Sequence, residues 1–185
     1  APQPRETILV LGAGPIGLSV IEFARLSGAR TVVMDTNEAR LAFVRERMGI
    51  RDTLVVRGDG AELKQFTDLT GGQLADVVVD ATGSHLSMSR ALAFCAFAGR
   101  LVYVGITQLE VSFPHAPLLH RRELTVMASR NALPTDFTRI ISLIEEGRLD
   151  TRPWITHRTS FDAVAEVFPT YLKPETGVIK ALIAV

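Results

Sequence analysis

Six residues near the start of the chain have the types and spacing to hold a phosphorylated ligand. In Gly12-Ala13-Gly14-Pro15-Ile16-Gly17, glycines occupy the first, third and sixth positions. Gly12 lets the chain turn sharply. Gly14 has no Cβ, so a pyrophosphate can approach the backbone. Gly17 lets the helix that follows lie close to the strand that precedes. Pro15 suits the first helical position, where its missing N–H would have had no intrahelical partner. The amides of Ile16 and Gly17 are left to hold phosphate oxygens, helped by about half a positive charge at the helix N-terminus. Asp35 stands 18 residues beyond Gly17. A carboxylate there can accept hydrogen bonds from both hydroxyls of an adenosine ribose. It would repel a 2′-phosphate, so it selects NAD over NADP.

These residues need a frame, and the surrounding sequence supplies one. Thr7 to Leu11 is a short run of branched apolar residues that reads as a strand. A helix follows over about Pro15 to Ser27 and ends at Gly28, a C-cap glycine. Thr31 to Asp35 is the second strand. Strand, glycine turn, helix, strand and acid together form the dinucleotide-binding pattern in its required context. Thr36 or Asn37 can cap the next helix, which carries Leu41, Val44 and Met48 at helical spacing and stops at Gly49. Thr53 to Val56 is a third strand, and Ala61 to Leu69 a helix closed by Gly71-Gly72. Leu74 to Ala81 is a strand apolar on both faces, as a central parallel strand must be. Ser84 is placed to cap a helix running through Ala98, with Cys95 inside it, and Arg100 to Val104 is the fifth strand. Residues 107–122 read as irregular. Leu124 to Ala128 is a sixth strand, and Pro134 opens a helix with apolar positions Phe137, Ile140, Ile141 and Ile144, ended by Gly147.

This alternation predicts an α/β fold: a doubly wound, parallel, six-stranded Rossmann sheet in the order 3-2-1-4-5-6, spanning residues 5–147. Ligands belong at the carboxyl ends of its strands, near the switch between strands one and four. Gly12 to Gly17, Asp35, Ala81 to Gly83, Gly105 and Ser129 all fall at strand ends. Residues 148–185 do not continue the alternation. Trp154 to Arg158 reads as a strand, Phe161 to Phe168 as a short helix stopped by Pro169, and Val178 to Val185 as a strand. The result is a C-terminal strand-helix-strand extension.

Bulk properties exclude several function classes. The chain has 185 residues, 47% hydrophobic, with 20 basic and 20 acidic side chains. A neutral chain has no bulk attraction to nucleic acid or membrane surfaces. The single cysteine, Cys95, rules out an internal disulfide and a cysteine-rich zinc site; its apolar setting reads as a small core residue. No apolar run approaches a membrane span and the first residues lack a signal-peptide pattern, so a cytoplasmic location is expected. Ala1 stands only a few residues before the first strand, as at a domain junction.

The whole chain resembles the C-terminal half of the medium-chain, zinc-type alcohol dehydrogenases, and within them the sorbitol and polyol branch. ILVLGAGPIGL, VVMDTNEARLAFVRERMG, DVVVDATGS, FAGRLVYVGI, RELTVMASR and THRTSFDAVAEVF carry the resemblance in order and spacing. It implies NAD as cofactor and hydride transfer between an alcohol or polyol and the nicotinamide in the complete enzyme. It also implies a catalytic zinc held in an N-terminal domain not among these residues. The resemblance gives Gly12, Gly14, Pro15, Ile16 and Gly17 to the pyrophosphate and Asp35 to the ribose. Thr82 and Gly83 fall beside the adenine, Gly105 and Ile106 along the nicotinamide ribose. Ala128, Ser129 and Arg130 fall at the carboxamide. Arg40 matches a basic position that reaches the adenosine ribose, with an exposed helix charge as the other reading. Lys180 matches a residue that touches the pyrophosphate, with a solvent-facing strand lysine as the other. The chain has no catalytic or metal-binding residue of its own under this resemblance. Zinc chemistry needs about three protein ligands, and Cys95 with His85, His115, His120 and His157 are in no ligand-like spacing.

Three functions are then expected in order. The first is the NAD-binding part of a zinc-type alcohol or polyol dehydrogenase, inactive by itself and with a tail whose apolar surface would favour a homo-oligomer. The second is an NAD-sensing regulatory module without dehydrogenase activity. The third is a methyltransferase, which the Pro15 helix start and the strand–helix alternation disfavour.

Overall fold

The computed structural model describes residues 2–185. They form two compact units, one ending at Asn131 and the other Ala132–Val185. This boundary, drawn by compactness, falls ahead of residue 147, where the strand–helix alternation ends.

The first unit is the parallel sheet. Its strands are β1 (Thr7–Leu11), β2 (Arg30–Asp35), β3 (Thr53–Val55), β4 (Ala75–Asp80), β5 (Cys95–Tyr103) and β6 (Thr125–Ala128). They lie in the order β3-β2-β1-β4-β5-β6. β1 runs parallel to both β2 and β4, pairing Leu9 with Val32 and with Val78. The switch in strand order therefore falls at β1, as the alternation required. Leu9, Val10, Val32, Val33 and Val78 are fully buried. Each such side chain contributes about 1.5–3 kcal/mol of burial, which explains the continuous apolar runs. Phe66 and Phe94 meet edge to face in the core, with ring centres 5.7 Å apart.

The helices of this unit begin and end on local signals. α1 (Pro15–Ser27) has Pro15 at its first position and a left-handed Gly28 at its end. α2 (Glu38–Met48) is capped by Asn37, whose side chain accepts from the amides of Ala39 and Arg40. α3 (Glu62–Leu69) precedes β4, and α4 (His85–Arg90) is capped by Ser84.

The segment after α4 departs from expectation. The helix predicted through Ala98 ends at Arg90, and a 3-10 turn over Ala91–Phe94 delivers the chain into β5 at Cys95. The run ALAFCAFAG has helical composition, but sheet pairing overrides it: Cys95 pairs with Ala75 before the ladder shifts register to Val77 and Arg100. Ala98 takes a left-handed φ of 56° within that irregularity and donates its amide to the Arg122 carbonyl. Arg122 in turn donates Nη1 to the carbonyls of Ala93 and Cys95. Cys95 is buried, but in a strand rather than a helix. Within the stretch expected to be irregular, His115–His120 forms a π-helical turn.

The second unit holds α5 (Pro134–Glu145), β7 (Ile155–Ser160), α6 (Val164–Tyr171) and β8 (Lys180–Ala184). β7 and β8 pair in parallel around α6, so the strand-helix-strand extension is real. Pro169 does not stop the helix; it lies inside α6. The helix starts later than predicted, at Val164, and runs past the proline at the loss of one donor to the Ala165 carbonyl. Much of the apolar surface is uncovered: Phe137, Ile141 and Ile144 of α5 are exposed, as are Phe161, Phe168 and Leu172.

Candidate dinucleotide-binding cleft

At the carboxyl ends of β1, β2 and β4 lies a cavity of about 600 Å³. The glycine turn forms one wall. Gly12 has φ 97°, a conformation open to glycine and costly for other residues, and its amide donates to the Met34 carbonyl. A Cβ on Gly17 would stand 1.8 Å from the Gly12 carbonyl oxygen, so α1 approaches β1 more closely than any side chain permits. Gly14 is different: the nearest group to a Cβ there is Arg40 Nη1, 3.8 Å away, and the position opens to the cavity. Gly14 is also the N-cap of α1 and has no side chain with which to cap it. The amides of Ile16 and Gly17 are thus free of any side-chain acceptor at this end.

Asp35 closes β2 and is buried against the turn. Its Oδ2 accepts from the Ala13 amide at 2.6 Å and its Oδ1 from the Asn37 amide at 2.7 Å. An ionised carboxylate accepts about four hydrogen bonds, so each oxygen keeps capacity for a ligand hydroxyl. Both oxygens are held in place by backbone.

The third wall is the turn after β4. Thr82 and Ser84 line the cavity, and Gly83 packs on the segment after β5. A Cβ on Gly105 would lie 2.5 Å from the Gly83 amide nitrogen, and one on Gly83 would lie 3.1 Å from the Ile106 carbonyl oxygen. Asp80, the last residue of β4, is fully buried beneath this turn.

Gly12, Gly14, Asp35, Arg40 and Thr82 therefore share one cavity. Pro15, Ile16 and Gly17 stand at the helix start beside it, with Ile16 exposed. Gly83, Gly105 and Ile106 meet one another at the mouth of the β4 and β5 ends, and Ile106 is 80% exposed. Ala128 and Ser129 lie at the end of β6, where the Ser129 amide donates to the Tyr103 carbonyl; Arg130 follows and is exposed. Lys180 belongs to the second unit, where it is exposed on β8.

Sequence reasoning missed several cavity residues. Arg57 and Gly58 follow β3, and Glu62 opens α3 with its carboxylate accepting from the Gly58 amide at 2.7 Å. The rule that ligands sit at strand carboxyl ends could have found Arg57. Ser87, Arg90 and Phe94 also line the cavity from α4 and the turn after it, and nothing local marks them. Arg40, Arg57 and Arg90 take part in no ion pair among the described residues, which leaves three cations facing Asp35 and Glu62.

Among the described residues, no three His, Cys, Asp or Glu side chains come together as ligands. Cys95 lies in the core, and burial pushes its thiol up to about 12. Among the same residues, no helix is long and apolar enough to cross a membrane.

Comparison with known proteins gives the family. The profile of the zinc-binding dehydrogenase family matches residues 15–146. L-galactonate-5-dehydrogenase of Escherichia coli (strain K12) is 37% identical over 182 residues, covering 97% of this chain and 52% of the relative. Sorbitol dehydrogenase of Arabidopsis thaliana is 32% identical, covering 90% and 47%. A solved short chain alcohol dehydrogenase from E. coli CFT073, complexed with NADH, superposes with a TM-score of 0.89 at 22% identity, covering 100% of this chain and 53% of that one. The last shows likeness of fold. The chain spans about half the length of the curated relatives it matches, and corresponds to their C-terminal, nucleotide-binding half. A glycine turn, an acid held at the end of β2 and a family match across most of the chain lead to one conclusion: this chain belongs to the zinc-binding dehydrogenase family.

Proposed function

We propose that this chain is the NAD(H)-binding half of a zinc-type alcohol or polyol dehydrogenase. One observation carries the reading. The cavity at the β1 switch point joins an open Gly14, uncapped helix amides and an Asp35 carboxylate with acceptor capacity to spare. When bound, a nicotinamide supplies the hydride acceptor and donor for an alcohol carbon. The chain's own residues bind and orient. The amides of Ile16 and Gly17 hold phosphate oxygens at the α1 N-terminus, with Pro15 setting the helix start. Asp35 accepts from the adenosine ribose and excludes a 2′-phosphate by charge. Arg40 lies over Gly14 and meets the ribose or phosphate from the other side. Thr82 and Gly83 flank the adenosine half. Gly105, Ile106, Ser129 and Arg130 lie at the ends of β5 and β6 and serve the nicotinamide half.

The binding function belongs to residues 5–147, and residues 148–185 form an extension whose uncovered apolar face supports self-association. The zinc ligands and most of the alcohol or polyol pocket belong to the half that the relatives have and this chain does not span. Family membership supports a dehydrogenase over an NAD-sensing module.

The test is a titration of the 185-residue chain with NADH and NADPH, followed by nicotinamide fluorescence. NADH is expected to bind at least about tenfold more tightly, and Asp35→Ala to abolish that preference. Unchanged NADH binding in Asp35→Ala overturns the assignment of Asp35. Zinc-dependent alcohol oxidation by this chain alone overturns the reading that these 185 residues bind the cofactor without turning over an alcohol.

A further inference from the structure

Asp80 is a fully buried carboxylate that the dinucleotide reading leaves without a role. No ion pair among the described residues includes it. Three donors meet its side chain. Oδ1 accepts from the Thr82 amide at 3.0 Å and from the Thr82 hydroxyl at 2.7 Å, while Oδ2 accepts from the Ser87 hydroxyl at 2.6 Å. Its backbone carbonyl accepts from the amides of Val104 and Gly105, both at 2.9 Å. One residue thereby ties together the turn after β4, the first turns of α4 and the segment after β5. These are three of the strand-end pieces that frame the cleft.

The consequence falls on Thr82. This residue is exposed and lines the cavity, but its hydroxyl proton is committed inward to Asp80, and its oxygen accepts from the Ser84 amide at 3.0 Å. The methyl is what it presents to the glycine turn: Cγ2 lies 3.2 Å from where a Cβ on Gly12 would stand. We propose that Asp80 is a positioning residue of the cleft, setting the shape of the Thr82-Gly83-Ser84 turn so that Thr82 meets the dinucleotide by methyl and backbone rather than by its hydroxyl. This rests on the dinucleotide reading given above. Asp80 does not touch the ligand; it fixes the residue that does. A carboxylate suits the task because both its oxygens accept, so it can gather three donors without presenting one of its own.

NADH fluorescence titration of the 185-residue chain separates the possibilities, with the unliganded Tm measured on each variant. Asp80→Asn keeps an oxygen for Thr82 and can donate to the Ser87 hydroxyl, so affinity is expected within about twofold of the unaltered chain. Asp80→Ala releases all three donors and is expected to weaken NADH by at least about tenfold. Thr82→Ser keeps the hydroxyl network but removes the methyl that meets the ligand, and is expected to weaken NADH by about threefold or more with unliganded Tm little changed; native affinity in Thr82→Ser overturns the proposal. Thr82→Val keeps the bulk but leaves Asp80 Oδ1 and the Ser84 amide each short of a partner, so it is expected to lower unliganded Tm by a few degrees and to weaken NADH by at least about tenfold at a temperature where the variant is fully folded. If Asp80→Ala does not fold, the Thr82 pair decides. Native affinity in Thr82→Val overturns the proposal. So does an Asp80→Asn as weak as Asp80→Ala, which would mean the charge acts on the ligand. If the unaltered chain leaves NADH fluorescence unchanged, the dinucleotide reading falls and takes this inference with it. If the unaltered chain binds and Asp80→Ala binds equally, this inference falls alone.

Discussion

Two glycines of the same turn should fail in opposite ways when each is given a methyl group. A Cβ on Gly17 would stand 1.8 Å from the Gly12 carbonyl oxygen and 2.8 Å from its carbon, both of them backbone atoms in a turn held by the β1–β2 ladder. Reaching ordinary contact requires the start of α1 to move away from β1 by more than about 1 Å. Overpacking of this kind costs about 3 kcal/mol at the upper end of its usual range. Exchanging glycine for alanine inside a helix returns about 1 kcal/mol. The net loss is about 2 kcal/mol, or roughly 4–8 °C in Tm for a domain of this size. Gly14 has no such obstacle. Its φ of −77° suits any residue, and its nearest neighbour would be a flexible Arg40 nitrogen at 3.8 Å. Gly14→Ala is therefore expected to move Tm by no more than about 2 °C, while placing a methyl where phosphate oxygens approach the Ile16 and Gly17 amides. NADH affinity should fall at least about tenfold, equivalent to about 1.4 kcal/mol. Calorimetry and fluorescence titration on both variants give the answer. A Gly14→Ala chain with native NADH affinity would refute the reasoning, as would a Gly17→Ala chain with native Tm.

Other consequences can be measured separately. The Arg100 guanidinium, hydrogen-bonded to Glu6, holds that carboxyl below its ordinary 4.5. The folded state therefore binds this proton less readily than the unfolded chain, and the pair stabilises the fold above about pH 4.5, with the benefit lost as pH falls through the lower folded value. Tm against pH should be flatter across this acid range in Glu6→Gln than in the unaltered chain; parallel curves would count against the pairing. Cys95 is buried and its thiol is pushed up to about 12, so a thiol reagent at pH 8 should react only after unfolding. Rapid modification of the native chain would contradict its placement in β5. The exposed apolar residues of the second unit, among them Phe161, Phe168 and Leu172, should drive self-association. A monomer by sedimentation velocity across a wide concentration range would count against this.

The turn from Gly12 to Gly17 and the acid at Asp35 were legible because their chemistry is set by short-range geometry. A left-handed Gly12, a proline at the first helical position and an acid ending the next strand each leave a local mark. The sheet order was legible for a related reason: parallel strands separated by helices have few allowed arrangements, and the apolar runs named the central strands. Helix ends at Gly28 and Gly49 also fell where the residue types placed them, and of the two candidate caps Thr36 and Asn37 the structure uses Asn37. The stretch from Ala91 to Gly99 did not. Its composition is helical, but Ala75 offered Cys95 a ladder partner and Arg122 satisfied the carbonyls at the strand's start. Pro169 misled in the same manner: its local penalty, one lost bond to the Ala165 carbonyl, did not end α6, which runs on to Tyr171.

From its sequence alone this protein has a doubly wound sheet, a glycine turn between its first strand and helix, and a carboxylate closing the second strand. Each depends on residues near one another in the chain or on a periodicity that any stretch displays by itself. Tertiary structure decided the rest. It brought Arg57, Glu62 and Arg90 from separate elements to the wall of one cavity, and it buried Asp80 beneath a turn whose threonine turns its hydroxyl inward. The cavity wall joins elements far apart in sequence, which no local propensity encodes, and Thr82 turns inward to a neighbour two residues away only because the sheet buries that neighbour.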